Sequence, residues 1–356
     1  SNIKLWPEKV VQDGAVLTKS LVWEDRWLCE LFTDARITGS ANIEINPEFG
    51  AKIGTSLGAV LGEGGAVLAS RDPDNASRMV KRAIACGLMS AGVNVHDMQS
   101  TSIPMLRQIL RSGRYTAGFH VRKSPFDKRS MDIIFFDADG QDMASKRTKA
   151  IERQFFSEDF RRANYDGIGS LYFPERTTEA YRERFLSTLD FELIASKGFN
   201  VVVDYSYGIT SSIFPNILAK LGAQVISLNA YIEFYAACNH VSSIVKSLSC
   251  EIGILIDAGG EKIFVSDEHG RFVEEERLMS LVTKLFLESR RVQGKPVSKI
   301  GCPVAASSEM DAVAREYGVE LVRTPNTHGG MMNAVLKDPS IDFIAGTRGG
   351  FIFPEF

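Results

Sequence analysis

One pattern occurs three times along the chain and limits the possible folds more than any other feature: an apolar strand, an amphipathic helix, a glycine and a second apolar strand. The paired strands read GAVLAS and GVNVHD, then FNVVVDY and GAQVISL, then SKIGCPV and GVELVR. These strands are continuously apolar, which is typical of strands buried on both faces of a parallel sheet. Three such units in series predict three similar α/β domains rather than one large sheet.

The segments between the paired strands have the hydrophobic period of helices. A glycine follows each of them, at Gly92, Gly222 and Gly318. Glycine adopts positive φ at little cost, so these positions are predicted to end the helices. The three helices are predicted at residues 77–91, 211–221 and 308–317.

Composition excludes several classes of protein. The 356 residues, of which 44% are hydrophobic, can form two or three globular domains. A net charge of −3 gives no reason to expect nucleic acid as a partner, and no apolar run is long enough for a membrane span. Five cysteines without CxxC spacing predict reduced thiols in a cytoplasmic protein. The scattered histidines suggest no zinc site.

Residues 1–29 differ from the rest of the chain. Val10, Val16 and Val22 are six residues apart, with Asp13-Gly14 at a possible corner between them. Hexapeptide spacing of this kind predicts the end of a left-handed β-helix; the alternative is an irregular N-terminal extension. Because a single coil cannot bury itself, the β-helix interpretation predicts further coils upstream in the natural protein.

Several segments resemble the α-D-phosphohexomutases, the phosphomannomutase/phosphoglucomutase family. Residues 64–110 and the run FFDADG resemble the first domain of that family, and VVVDYSYGITSSIFPNILAKLGAQV resembles the second. VELVRTPNTHGGMMNAV and GFIFPEF resemble the third. The resemblance implies three consecutive mutase-like α/β domains with mixed or parallel sheets, and a fourth domain that this chain lacks. The expected boundaries are 1–29 for the β-helix end, then 30–168, 169–273 and 274–356.

The resemblance also implies a separate role for each domain in the reaction. In the family, a phosphoserine of the first domain transfers its phosphoryl group to a hexose phosphate, Mg²⁺ is held by the second domain, and the third reads the sugar hydroxyls. Mutase-like domains that follow a β-helix resemble the C-terminal region of bacterial mannose-1-phosphate guanylyltransferase-type proteins. Such a protein would carry an upstream nucleotidyltransferase domain as a partner of this region.

The family's serine loop, similar to TASHNP, aligns with the segment before FFDADG and places Ser124 at the carrier position. The histidine that follows the carrier is replaced by Pro125. Phosphoryl transfer requires cations around the phosphate oxygens, and a cluster of basic residues surrounds this serine. The alternative is a solvated Ser-Pro turn. The candidate phosphate-binding residues are His120, Arg122, Lys123, Lys128 and Arg129.

The family's metal loop, DGDADR, aligns with residues 257–262. Asp257 and Glu261 are the candidate Mg²⁺ ligands, and glycine stands at the middle carboxylate position, Gly259. Two carboxylates make a weak version of a magnesium site, and Lys262 is placed to neutralise them instead. The alternative is an ordinary turn between two strands.

The family's sugar loop, GEQSGH, aligns with residues 346–351, so the candidate sugar-loop residues are Thr347, Arg348 and Gly349. The glutamate and serine that pair with sugar hydroxyls are gone, which predicts reduced sugar discrimination. Arg348 is a candidate anion ligand, with a flexible turn as the alternative. The pair Arg71-Asp72 after the first strand is expected to serve as an ion pair or a helix cap.

Three functional interpretations follow. The first is a mutase-like region with degenerate catalysis that binds a sugar phosphate or nucleotide sugar in a basic cleft and supports the upstream nucleotidyltransferase. The second is an active phosphoglucomutase/phosphomannomutase that uses Ser124 as carrier. The third is an oligomerisation scaffold. A homo-oligomer is expected, and the clustered cations argue against a pure scaffold.

Overall fold

The computed structural model describes residues 31–124, 127, 129–230 and 234–355. The predicted end of a β-helix at residues 1–29 lies outside these residues. Two compact units are formed. The first contains the described residues up to Thr101 together with Leu106–Glu175, and the second contains Ser102–Met105 and the residues from Arg176 onward.

The first unit is built on a six-stranded mixed sheet with the strand order β1-β5-β4-β2-β3-β6. Strands β2, β3, β4 and β6 run parallel, whereas β5 is antiparallel to both of its neighbours. In chain order, the elements up to β6 are β1 (Arg36–Ser40), α1 (Pro47–Leu61), β2 (Ala66–Arg71), α2 (Asn75–Ser90), β3 (Asn94–Ser100), α3 (Ile103–Leu110), β4 (Ala117–Lys123), β5 (Ser130–Asp137), α4 (Ser145–Ser157) and β6 (Leu171–Tyr172). The start of α3, up to Met105, belongs to the second unit.

The first unit continues beyond the boundary expected at residue 168. Strand β6 pairs with β3 through Val95 and Leu171, and His96 stacks on Tyr172. These contacts attach the segment to the first sheet, so the unit ends at Glu175. The pairing strand has only two residues, too few for a hydrophobic period to reveal it.

Helices α1 and α2 approach each other closely enough for backbone to meet backbone. An added Cβ at Gly54 would lie 2.1 Å from the carbonyl oxygen of Ile84, and one at Gly87 would lie 2.2 Å from that of Ala51. Glycine is therefore required at both positions. The two helices cover the sheet face that carries Val67, whose side chain is fully buried in the core of this unit.

The second unit contains two four-stranded sheets, ordered β10-β9-β7-β8 and β12-β11-β13-β14. The first sheet and its helices comprise α5 (Thr177–Leu186), α6 (Phe191–Ala195), β7 (Asn200–Asp204), α7 (Phe214–Lys220), β8 (Gln224–Leu228), α8 (Phe234–Leu248), β9 (Ile252–Ile256) and β10 (Ile263–Ser266). The other comprises α9 (Glu275–Val292), β11 (Lys299–Pro303), α10 (Glu309–Tyr317), β12 (Glu320–Thr324), α11 (His328–Lys337), β13 (Ile341–Ala345) and β14 (Phe351–Ile352).

The repeated unit predicts the pairing correctly. Strands β2 and β3, β7 and β8, and β11 and β12 are all parallel neighbours, and they belong to three separate sheets. Gly92, Gly222 and Gly318 all have positive φ. Of the predicted helices, only 211–221 is divided: a 3₁₀ turn at Ile209–Ser212 precedes α7. A proline in the first turn of α7 explains the new start.

Within the described residues, no helix combines the length and the apolar character needed to cross a lipid bilayer. The described cysteines are all free thiols. Cys250 and Cys302 are buried, whereas Cys86 is exposed. Burial raises the pKa of Cys302, and that of the half-buried Cys238, to about 11.

We expect alkylation at pH 8 to modify Cys86 well before Cys238 and Cys302. With a pKa near 11, only about one thiol in a thousand is the reactive thiolate at that pH. Peptide mapping by mass spectrometry after timed iodoacetamide treatment measures the order. The unfolded chain in urea is the control, in which the difference should vanish. Equal rates for Cys86 and Cys302 in the native protein would contradict the described burial.

Candidate functional site

The topology marks one place in each sheet where a ligand would be expected. In each sheet the first strand of the repeated unit lies between the two parallel strands that follow it: β2 between β4 and β3, β7 between β9 and β8, β11 between β13 and β12. Ligands of such sheets bind at the carboxyl ends of the strands where the order reverses. The three predicted loops begin there, at Ser124 after β4, Asp257 after β9 and Gly346 after β13.

Ser124 is held at the base of the hairpin between β4 and β5. Its N–H donates to the carbonyl oxygen of Ser130 at 2.9 Å, and the residue is only 7% exposed. Asp72, at the end of β2, accepts the N–H of Lys123 at 2.7 Å and that of Asp74 at 3.0 Å. Burial raises the pKa of Asp72, and these amide hydrogen bonds oppose the shift. The N-cap of α2 is Asp74 and not the predicted pair Arg71-Asp72. Asp72 instead anchors the serine loop.

His120 and Arg122 point to the sheet face opposite the α1–α2 core and are buried there. His120 is 2% exposed, and its Nδ1 shares a hydrogen bond of 2.7 Å with the hydroxyl oxygen of Ser70 on the neighbouring strand. The Nε of Arg122 donates to Asp132 Oδ2 at 3.3 Å. Both side chains are thus engaged inside the first unit, which does not favour the phosphate-binding role predicted for them.

Asp132, which the sequence interpretation missed, is the centre of this buried network. It lies on β5 directly opposite Arg122 and is 1% exposed. Thr38 Oγ1 donates to its Oδ1 at 2.8 Å, and Arg36 Nη1 lies 3.6 Å from its Oδ2. Buried carboxylates need partners of this kind to offset the loss of hydration. A signal existed in the sequence, because an acid inside the apolar strand SMDIIFFD requires a nearby cation.

The remaining cations of the serine loop are more accessible. Lys123 is half-buried and Arg129 is exposed, while Lys128 lies outside the described residues. Asp127 shapes the loop, because its carboxylate accepts the Arg129 N–H at 3.0 Å and the Ser130 hydroxyl at 2.5 Å. The Ser130 hydrogen bond lowers the pKa of Asp127. Lys123 and Arg129 therefore remain the candidates for binding an anion at this loop.

The predicted metal loop is a closed turn between β9 and β10. Asp257 Oδ1 accepts the N–H groups of Glu261 at 2.7 Å and Lys262 at 2.8 Å. The Asp257 N–H in turn donates to the Lys262 carbonyl oxygen at 3.0 Å. On its outer side, the turn accepts the Ile103 N–H at the Gly259 carbonyl oxygen, at 3.2 Å. One oxygen of the first candidate metal ligand is thus used to hold the turn together.

Asp204 is a second carboxylate at this strand edge and was also missed. It ends β7 beside β9, is fully buried, and accepts the Ser206 N–H at its Oδ1 at 2.8 Å. Among the described residues, its Oδ2 has no hydrogen-bond partner. The sequence contains the signal, because Asp204 ends the strand FNVVVDY much as Asp72 follows the first strand of its own unit.

These residues do not fit a magnesium ion. Mg²⁺ prefers octahedral oxygen ligation anchored by carboxylates. Among the described residues, no group of three or more His, Cys, Asp or Glu side chains could hold a metal ion, so Asp204, Asp257 and Glu261 do not form such a set. Position 259 has no side-chain donor at all.

The predicted sugar loop packs on the metal loop. The Gly349 carbonyl oxygen accepts the Ile263 N–H at 2.9 Å, and Gly350 pairs with Lys262. Gly349 has φ +70°, and a Cβ there would lie 2.3 Å from the Ile263 carbonyl oxygen. Thr347 is half-buried and Arg348 is exposed. The structure therefore brings two of the three predicted loops into direct contact.

Comparison with known proteins accounts for this arrangement. A family model described as phosphoglucomutase/phosphomannomutase, alpha/beta/alpha domain I, matches residues 30–162, and the corresponding domain II model matches residues 179–270. Together they cover more than half of the chain. The chain belongs to the phosphohexomutase family. The first matched segment contains β1 to β5, and the second contains β7 to β10.

The similar proteins carry the names of mutases that act on different sugar phosphates. A phosphoglucomutase/phosphomannomutase of Thermococcus kodakarensis is 29% identical over 92% of this chain and 73% of its own length. A probable phosphoglucosamine mutase of Pyrococcus abyssi is 27% identical, over 91% of this chain and 71% of its own length. A family protein of Burkholderia thailandensis has the same fold, with a TM-score of 0.78 at 19% identity over 91% of this chain and 72% of that one.

Proposed function

We propose that this phosphohexomutase-family chain binds a sugar phosphate or nucleotide sugar but has lost most or all of the mutase reaction. The observation that carries the proposal is the engagement of His120 and Arg122 in buried pairs with Ser70 and Asp132. Phosphoryl transfer is catalysed chiefly by cations placed around the transferring group. The Arg122 charge is already paired with Asp132, and His120 is buried against Ser70, so neither side chain is placed primarily to surround a transferring phosphoryl group.

The other two loops support the same proposal. The turn at Asp257 does not fit the ion that would balance a phosphoserine, and the sugar loop lacks the glutamate and serine expected to read hydroxyls. Lys123, Arg129, Lys262 and Arg348 nevertheless keep positive charge at the carboxyl ends of the strands. Basic side chains that remain without a metal site and without the sugar-reading residues can bind an anionic ligand but are less suited to transfer its phosphoryl group.

Purified protein supplied with Mg²⁺, a hexose 1,6-bisphosphate activator and glucose or mannose 1-phosphate is expected to show no appreciable conversion. The same sugar phosphates should raise the melting temperature, because a ligand at 100 times its Kd adds about 2.7 kcal/mol to stability. A coupled assay and a thermal-shift series measure the two parts. A screen in which no sugar phosphate or nucleotide sugar stabilises the protein would contradict the binding function.

A second candidate, an active mutase, is favoured by the retained Ser124 hydroxyl and by relatives that are named as mutases. Steady conversion that disappears in Ser124→Ala and persists in Ser196→Ala, an exposed serine, would establish it in place of the first. Phosphate on Ser124 in an intact-mass measurement would point the same way.

We further propose that the region supports an upstream nucleotidyltransferase in a cytoplasmic, mannose-1-phosphate guanylyltransferase-type protein, as a homo-oligomer. Support for this comes from the hexapeptide spacing of Val10, Val16 and Val22. The open reading frame around these residues tests it directly, because an adjacent nucleotidyltransferase sequence is required.

A further inference from the structure

We propose that the loop at the carboxyl end of β9 meets the ligand's phosphate charge with the ammonium group of Lys262 and without a divalent ion. The inference rests on the proposed binding of a phosphorylated sugar, and it concerns how that binding is achieved. It departs from what the family resemblance implies for this loop. Three features of the turn carry it.

The first feature is the use of Asp257 as a structural anchor. One carboxylate oxygen accepts two backbone N–H groups, from Glu261 and Lys262, at 2.7 and 2.8 Å. Charge-assisted hydrogen bonds of this kind are stronger than neutral ones. Turning that oxygen toward a metal ion would leave both N–H groups without their partner, at a cost that a weakly ligated Mg²⁺ does not offset.

The second feature is the closed packing of the turn. A Cβ at Gly260 would lie 2.8 Å from Thr210 Cγ2 and 3.4 Å from Ser102 Cβ. The neighbouring Gly208 is equally close, since its Cβ would be 2.9 Å from Ala258 Cα. Ala258 and Gly260 are thus in close contact with their neighbours. Positions 258–260 carry no donor side chain, which leaves two carboxylates as the ligand set of this loop.

The third feature is the fixed position of Lys262. Its backbone is hydrogen-bonded to Asp257 on one side and paired with Gly350 of the sugar loop on the other. Its side chain is half-buried at the junction of two loops that the family uses for its substrate. An ammonium group is a compact point charge that binds phosphate, and here it belongs to the last residue of the degenerate metal loop.

Metal binding is tested first, and it requires no sugar. In a titration followed by electron paramagnetic resonance, the full chain is expected to bind no stoichiometric Mn²⁺ at millimolar concentration. The double variant Gly259→Asp/Glu261→Asp, which restores the missing carboxylates, should gain a site that Mg²⁺ competes for. One Mn²⁺ per wild-type chain, displaced by Mg²⁺, would overturn the inference.

Sugar-phosphate binding is tested second, by isothermal titration calorimetry with glucose 1-phosphate and mannose 1-phosphate. The Kd should be the same in EDTA as in Mg²⁺. Lys262→Met should weaken binding about tenfold or more, as expected for one charged hydrogen bond, and Lys262→Arg should keep most of the affinity. The anchoring hydrogen bonds use only the Lys262 backbone, so these variants keep the turn.

Lys295→Met, at an exposed lysine before β11, is the matched control and should bind as the wild type does. Binding that is lost in EDTA, or that is unchanged in Lys262→Met, would refute the role of Lys262. If neither sugar phosphate nor any other ligand of the thermal-shift screen binds, the proposed function fails. The Mn²⁺ titration still decides the metal question in that case.

Discussion

Replacing Asp132 with alanine is expected to lower the free energy of unfolding of the first unit by about 3 to 5 kcal/mol. The substitution leaves the Arg122 guanidinium buried, with 8% side-chain exposure, and removes the acceptor of Thr38 Oγ1. Removing one partner of a buried ion pair costs far more than the net worth of the pair. Urea denaturation followed by circular dichroism, with hydrogen exchange to assign the loss to β4 and β5, measures the effect.

Two comparisons make this prediction specific. Glu316→Ala removes the exposed pair with Lys284 and should cost less than about 1 kcal/mol. The double variant Arg122→Met/Asp132→Leu removes both buried charges and should recover most of the stability lost in Asp132→Ala. A loss in Asp132→Ala no larger than that in Glu316→Ala would mean that the buried network does not contribute as described.

Replacing Gly54 with alanine is expected to destabilise the first unit by about 3 kcal/mol, the upper end of the range for overpacking. The new Cβ would stand 2.1 Å from the carbonyl oxygen of Ile84, so helices α1 and α2 must move apart. The clashing oxygen belongs to the backbone, which cannot relieve the contact by changing rotamer as a side chain can. Thermal and urea unfolding measure the loss.

The same change at Gly329 is the matched control. Gly329 lies in helix α11, and beyond its own helix backbone no atom of the described residues comes within 4 Å of an added Cβ. Alanine there should therefore be neutral or should stabilise by less than about 1 kcal/mol. Gly54→Ala and Gly329→Ala therefore have opposite expected signs. Similar stability changes in the two variants would contradict the close approach of α1 and α2.

Much of the fold could be predicted from the sequence because it repeats. Uninterrupted apolar strands such as FNVVVDY can only be buried on both faces, and glycines such as Gly318 end helices where φ is positive. The α1–α2 contact could not be predicted, because small residues in a helix do not reveal which backbone they meet. Strand β6 could not be predicted either, because two residues are too few to show a hydrophobic period.

The positions of the candidate-site loops could be predicted from the sequence, but the partners of their side chains could not. Sequence alignment placed Ser124, Asp257 and Gly346 at loops that lie at the strand reversal points. It could not show that Arg122 faces Asp132, because that pairing depends on the register between β4 and β5. Arg122, which the sequence analysis counts among the cations near Ser124, is therefore also part of an ion pair inside the sheet. Register decides whether a charge in a strand meets a partner or a substrate.

Four residues have a consequence for how this molecule can be divided. Ser102–Met105 belong to the second unit, although the chain before and after them builds the first. The Ile103 N–H relies on the carbonyl oxygen of Gly259, far along the sequence. A fragment that stops at Glu175 would lack that acceptor. A single truncation after Glu175 therefore does not separate the two units cleanly. A chimera of two relatives would have to take Ser102–Met105 and the loop that contains Gly259 from the same parent.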